Sequence, residues 1–248
     1  MSIIGIIPAR YASTRFPGKP LALINGKSML QRVYEQSAKA VLLDEVIVAT
    51  DDERIAEHAA SFGAKAILTN TSHPSGTDRC FEAYTLNGKS FDYVLNVQGD
   101  EPFLEPEQIN SLVKACEGKV EIATQMIRCT SHAVLFDPGE VKIVLNKKKE
   151  ALYFSRSVIP FLKGKEEKEW HRYFDYYRHV GMYAYRTDIL EKICHLPTST
   201  LETAESLEQL RWLENGYNIK CVDTTYDSHC VDTPEDIEKV LRLMKLKK

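Results

Sequence analysis

Residues 3–20 read Ile3-Ile4-Gly5-Ile6-Ile7-Pro8-Ala9-Arg10-Tyr11-Ala12-Ser13-Thr14-Arg15-Phe16-Pro17-Gly18-Lys19-Pro20. A short, β-rich apolar run that stops at a proline is a buried strand emptying into a loop. That loop carries three cations, Arg10, Arg15 and Lys19, together with Ser13 and Thr14. Pro17, Gly18 and Pro20 stiffen it beyond what a merely solvated basic loop requires. Three cations on a constrained loop at the carboxyl end of a first strand make a place for a polyanion, most simply a triphosphate.

Working outward, strand-like and helix-like segments alternate. Met29, Leu30, Val33, Tyr34 and Ala38 share a helical face over 28–40. A strand over 45–49 leads through Thr50-Asp51-Asp52-Glu53, an acidic helix start, into a helix over 53–61. Strand 65–68, a helix from about 77 to 86, strand 93–97 and a helix over 106–116 follow. Such alternation predicts an α/β fold with a mostly parallel central sheet and helices on both faces, joined by right-handed crossovers. Ligands of such sheets bind at the carboxyl ends of the strands, which places the loops 8–20 and 98–102 on one edge.

The middle of the chain reads differently. Segments 121–129, 141–145 and 151–154 are strand-like, and Asn146-Lys-Lys-Lys-Glu150 is a charged turn between two of them. Residues 163–176 form a charged, aromatic insertion without clear period, open to reading as a lid or a subunit contact. Strand 179–185, helix 205–214 and strand 217–222 precede a last helix with Thr233 as N-cap, Pro234 at N1 and Asp236 at N3. No repeat or linker interrupts the chain. The expectation is one domain over 1–248 with an inserted β-rich arm at about 130–185.

The 248 residues carry 32 Lys and Arg against 35 Asp and Glu, a net charge of −3. A general nucleic-acid binder would show a strong basic excess, so nucleic acid is not an expected partner. Six cysteines lack the paired short spacing of metal or redox sites. The chain starts in a strand without a leader-like segment, and no apolar run approaches the ~20 residues of a membrane helix. No membrane partner is expected, and the expected compartment is the cytoplasm.

Two further motifs carry chemistry. In His73-Pro-Ser-Gly-Thr-Asp-Arg79, the small residues Ser75, Gly76 and Thr77 at a helix start suit the close approach of a base, ribose or phosphate, and Arg79 adds a fork donor. A Ser/Thr-capped helix with a surface arginine is the plainer reading. Gln98-Gly-Asp-Glu-Pro102 follows a strongly apolar strand. Asp100 there suits a hard cation such as Mg²⁺ with triphosphate oxygens, and it stands too far ahead of Pro106 to cap that helix well. Gly99 permits close approach of a ligand to the backbone. From spacing alone, Arg156 and Tyr183 are post-strand or strand residues and His179 reads equally as a core histidine. Glu208 and Gln209 read as solvated, and Asp232 as support for the turn at Thr233.

Six motifs in order resemble one family: residues 7–21, 73–79, 96–102, 151–156 (Ala-Leu-Tyr-Phe-Ser-Arg), 205–211 (Glu-Ser-Leu-Glu-Gln-Leu-Arg) and 231–236 (Val-Asp-Thr-Pro-Glu-Asp). Together they are similar to the 3-deoxy-manno-octulosonate (Kdo) cytidylyltransferases of Gram-negative bacteria, over essentially the whole chain. The resemblance implies a Rossmann-like fold of the nucleotide-diphospho-sugar transferase type. It implies transfer of CMP from CTP to Kdo with loss of pyrophosphate, for lipopolysaccharide synthesis. Arg10 and Lys19, with Arg15, would hold the triphosphate. Asp100 and, from the resemblance alone, Asp232 would hold Mg²⁺. Pro8, Ala9, Ser75, Gly76, Arg79 and Gln98 would line the nucleotide site. Gln98, Arg156, His179, Tyr183, Glu208 and Gln209 would read the sugar acid. A homodimer built through the β-rich arm is also implied. Competing expectations are a cytidylyltransferase for 8-amino-Kdo or sialic acid, and a non-catalytic nucleotide-sugar sensor.

Overall fold

The computed structural model describes residues 1–227 and 230–246, with backbone alone for 243–246. The chain divides into two compact units, Met1–Val113 with Ser228–Lys248, and Lys114–Asp227. The expected β-rich arm lies within the second.

In the first unit the elements are β1 (Ile3–Ala9), β2 (Leu23–Ile24), β3 (Lys27–Ser28), α1 (Met29–Ser37), β4 (Glu45–Thr50), α2 (Glu53–Ser61), β5 (Lys65–Leu68), α3 (Gly76–Asn87) and β6 (Tyr93–Asn96). The helix α4 (Pro106–Ala115) reaches the boundary. The strands run β6-β1-β4-β5, and every pairing among them is parallel. Ile3, Ile4, Ile6 and Ile7 are all fully buried, as a parallel strand covered on both faces requires. Chain order explains where a ligand goes. From β1 the chain steps outward to β4 and β5, then returns through α3 to place β6 on the other side of β1. The crossovers before and after that reversal fall on opposite faces, so the switch point lies between the carboxyl ends of β1 and β6. The loops 8–20 and 98–102 leave the sheet there, as the alternation predicts.

The second unit contains β7 (Ile122–Arg128), α5 (His132–Phe136), β8 (Lys142–Leu145), β9 (Ala151–Ser155), α6 (Trp170–Tyr173), β10 (Tyr177–Arg186), α7 (Thr187–Cys194), α8 (Thr200–Glu205), α9 (Gln209–Glu214) and β11 (Ile219–Asp223). Strand β7 pairs parallel with β11 and antiparallel with β10, and a β8–β9 hairpin pairs with the start of β10. The charged turn closes that hairpin, with Asn146 N donating to Glu150 O at 2.9 Å.

One expectation needs correction here. The helix expected over 205–214 is two helices, because Ser206 adopts a left-handed conformation (φ 52°) between them. Two of the carbonyls at that break, Glu205 O and Ser206 O, are taken by the Arg156 guanidinium at 2.9 and 3.4 Å. The insertion 163–176 is anchored: Trp170 and Tyr176 are buried with Cys129 and Leu135, and Trp170 Nε1 donates to Lys165 O.

The chain returns to the first unit with α10 (Pro234–Leu246). Val231 and Val240 pack with Ile24 and Met29, which fastens the segment preceding this helix to the unit's core. All six cysteines are free thiols.

Candidate active site

Pro8, Ala9 and Arg10 at the exit of β1 face His73, Pro74, Ser75, Gly76 and Arg79 at the start of α3, and together they line one pocket. Ser75 is the N-cap of α3: its Oγ accepts from Asp78 N and donates to Asp78 Oδ2 at 2.7 Å. Ser75 thus caps α3 while it also lines the pocket. A Cβ on Gly76 would stand 3.4 Å from Pro8 Cγ, so a larger residue would narrow the pocket. Arg79 is not a surface arginine. It is buried, and its guanidinium is committed to Thr69 Oγ1 at 2.6 Å and Asp51 Oδ2 at 2.9 Å, so it braces the wall. His73 was quoted in the motif without a role. Its Nε2 meets Glu82 Oε2 at 2.5 Å, an arrangement that sets the edge of the pocket and that sequence spacing does not reveal.

The cation loop is closed on itself. Gly18 N donates to Tyr11 O at 2.9 Å, and Gly18 is left-handed (φ 71°) with its open face against the Tyr11 ring. Arg54 stacks 3.4 Å above that ring, a cation–π contact that the sequence reading missed. This folding delivers Lys19 to the start of a one-turn 3₁₀ segment, Lys19–Leu21. Its Nζ lies 2.9 Å from Asp100 Oδ2 and 3.4 Å from Asp232 Oδ1. Arg15 adds a bidentate contact to Asp232, at 3.0 and 3.2 Å.

Backbone bonds explain why the two carboxylates meet. Val231 N donates to Asp100 O at 2.9 Å, laying the segment before α10 along the 98–102 loop. The turn into α10 is held by Asp236, which accepts from Asp232 N and Thr233 N, both at 3.0 Å. The Asp232 side chain is thereby left to the two cations, while its backbone N takes part in the turn. Asp100 likewise serves Lys19 rather than a helix. A Cβ on Gly99 would fall 2.7 Å from Pro8 O, so a glycine there lets the two strand exits lie close together.

Two carboxylates gathered around one ammonium are a hard-oxygen set of the kind that suits Mg²⁺. Among the described residues no group of three or more His, Cys, Asp or Glu side chains forms a cage. A divalent ion held by Asp100 and Asp232 would thus complete its shell with ligand oxygens and water.

The second unit gathers His179, Tyr183 and Glu208. The His179 ring stands edge-on to Phe154 and 5.0 Å from the Tyr183 ring. Burial, with the Arg178 charge beside it, lowers the His179 pKa to about 3, so the ring is neutral at pH 7. Tyr183 is buried between Tyr185 and Trp212, and burial, then the Cys221 and Glu208 charges, push its hydroxyl well above the usual range. Gln209 is buried at the first position of α9. The Arg156 guanidinium donates to the carbonyls of Glu205, Ser206 and Pro138, a contact set that spacing does not reveal. Gln98 sits half-buried just after β6, in the first unit.

Comparison with known proteins identifies the family. The family model for cytidylyltransferases matches residues 4–221. The 3-deoxy-manno-octulosonate cytidylyltransferase of Parabacteroides distasonis is 53% identical over 98% of this chain and 98% of its own length. That of Cytophaga hutchinsonii is 52% identical over 97% and 96%. A solved structure of CMP:2-keto-3-deoxy-manno-octonic acid synthetase complexed with CTP is 41% identical, covers 100% of both chains and superposes with a TM-score of 0.91. The chain belongs to the 3-deoxy-manno-octulosonate cytidylyltransferase family.

Proposed function

We propose that this protein transfers CMP from CTP to the anomeric hydroxyl of Kdo, releasing pyrophosphate and activating the sugar acid for lipopolysaccharide synthesis. The observation that carries the reading is Lys19 set between Asp100 and Asp232 at the mouth of a parallel-sheet switch point. The first unit serves the nucleotide. Pro8, Ala9, Ser75 and Gly76 provide walls for cytidine, and Arg10, Arg15 and Lys19 neutralise the triphosphate, with Lys19 bearing on the charge that develops on departing pyrophosphate. When bound, Mg²⁺ at Asp100 and Asp232 supplies charge neutralisation at the phosphates. In the second unit, His179, Tyr183, Glu208 and Gln209 read the hydroxyls of the sugar acid. Arg156 keeps the α8–α9 break in shape beside them.

The relatives' shared name, 3-deoxy-manno-octulosonate cytidylyltransferase, supports Kdo as the acceptor. A homodimer through the β-rich stretch is part of the same reading, supported by exposed Leu152, Phe161, Tyr173 and Phe174. A cytoplasmic location is proposed alongside it; among the described residues no helix is long and apolar enough to cross a membrane. The test is pyrophosphate release with CTP and Mg²⁺, run in parallel with Kdo, 8-amino-Kdo and sialic acid. Release with Kdo alone is expected. Release with another acid replaces the sugar but keeps the nucleotide chemistry, and CTP binding without release under any acid points to a sensor.

A further inference from the structure

Strand β10 carries an irregularity where it passes β7. Val180 pairs with Gln125 and Tyr183 with Thr124, which leaves Gly181 and Met182 as extra residues on β10. Bulges of this kind re-aim side chains and backbone groups. Here two carbonyls of the bulge turn onto one fully buried hydroxyl, with Met182 O at 2.8 Å and Val180 O at 3.4 Å from Thr124 Oγ1. The same Oγ1 lies 2.8 Å from His179 Nε2.

A threonine hydroxyl has one proton, and a carbonyl has none to give. Two oxygens 2.8 Å apart need a proton between them, so the Thr124 proton is committed to Met182 O. Oγ1 can then only accept from the imidazole. We propose that Thr124 is a positioning residue that holds His179 as the Nε2–H tautomer, so that Nδ1 serves solely as a hydrogen-bond acceptor for a sugar hydroxyl. No other hydrogen bond reaches the His179 ring among the described residues, and Phe154 and Tyr183 fix the plane of the ring. With the ring neutral, Nδ1 carries a lone pair. It attracts an O–H and repels a carboxylate, so His179 reads a hydroxyl and the acid group of the substrate is bound elsewhere. The neighbouring Tyr183 hydroxyl is buried without a hydrogen bond of good geometry and faces the same Thr124 group.

This inference rests on the sugar-acid reading of the second unit, and its test separates the two. Long-range ¹H–¹⁵N NMR of the full-length protein with labelled histidine reads the tautomer with no substrate present. The expected state at pH 7 is neutral with the proton on Nε2. T124V should lose that single state, and T124S should keep it. In the pyrophosphate assay T124V should raise KM for the sugar acid roughly tenfold and leave KM for CTP in place, with T124S close to the parent. An Nδ1–H or doubly protonated ring in the unsubstituted protein overturns the assignment whatever the enzyme turns over, and needs no variant to fold. A T124V protein with a scrambled tautomer and an unchanged sugar-acid KM overturns the positioning role. Silence of the unsubstituted enzyme with every sugar acid would instead strike the proposed function, leaving the NMR result to decide the tautomer.

Discussion

Lys19 Nζ stands 2.9 Å from Asp100 Oδ2 and 3.4 Å from Asp232 Oδ1, so a single ammonium joins carboxylates from opposite ends of the first unit's chain. Without a cation between them the two carboxylates would repel, though both side chains are partly exposed and water screens part of that repulsion. The ammonium therefore keeps the acidic pair assembled, and a divalent ion with a triphosphate would release it toward the phosphates. Lys19→Ala should lower kcat by about 10²-fold, because a preorganised charge acts on the transition state. Steady-state pyrophosphate release checks this. A change in KM for CTP with kcat preserved would assign Lys19 to ground-state binding instead.

Asp100→Asn removes one of two charges from the hard-oxygen set while keeping the shape of the side chain. Turnover should fall by at least about 10²-fold, and the Mg²⁺ concentration for half-maximal activity should rise. Thermal unfolding should change little, because the backbone bond from Val231 N to Asp100 O survives the substitution. Parent-like activity with a parent-like Mg²⁺ titration would remove Asp100 from the site.

The first unit was legible because its signals are local. Apolar strands, Asp52 and Ser75 as caps and the stop at Gly63 lie within a few residues of the elements they define. The sharing of a cation by Asp100 and Asp232 was not, since it depends on α10 packing back through Val231 and Val240. Only family resemblance joined the two. The hairpin at Asn25-Gly26, both left-handed, carried a readable turn signal that went unread because its strands have two residues each. In the second unit the break at Ser206 and the commitment of Arg156 to backbone carbonyls are tertiary facts with no spacing signature. Thr124 likewise gains its role from a register shift in a partner strand.

Arg156→Ala tests whether that residue braces the α8–α9 break. Its fork donates to three carbonyls around the α8–α9 break and Pro138. Charge-assisted bonds of this kind place the loss of stability at about 1–3 kcal/mol, read by denaturant unfolding. Arg156→Lys should recover little, because an ammonium cannot reproduce the fork. A parent-like midpoint with only a weaker sugar-acid KM would return Arg156 to direct substrate binding.

His179 makes a pH-dependent contribution with a definite sign. Burial and Arg178 lower its pKa from 6.5 to about 3 in the folded chain. Between those values the unfolded chain binds a proton that the folded chain refuses, so stability rises with pH through this window. The contribution is complete above pH 6.5 and is lost as pH falls toward 3, at up to about 1.4 kcal/mol per pH unit. Unfolding of the parent and of His179→Gln, compared from pH 7 to pH 4, should show the steeper loss in the parent. Parallel curves would mean that the imidazole titrates normally in the fold.

Gly99→Ala asks how tightly the two strand exits must fit. An alanine Cβ would sit 2.7 Å from Pro8 O, a backbone atom with no side-chain freedom to yield. Either the 98–102 loop or the β1 exit must move. The first displaces Asp100 from Lys19, and the second displaces Pro8, Ala9 and Arg10 from the pocket they line. Both routes reach the nucleotide side, while His179 and Tyr183 belong to the second unit. The expected result is a kcat/KM for CTP reduced by 10²-fold or so, in line with the cost of small misplacements at a reacting centre. The His179 tautomer, read by the same NMR experiment, should be unchanged. An alanine variant with parent kinetics would show that the approach of Gly99 to Pro8 has slack that the static geometry does not reveal.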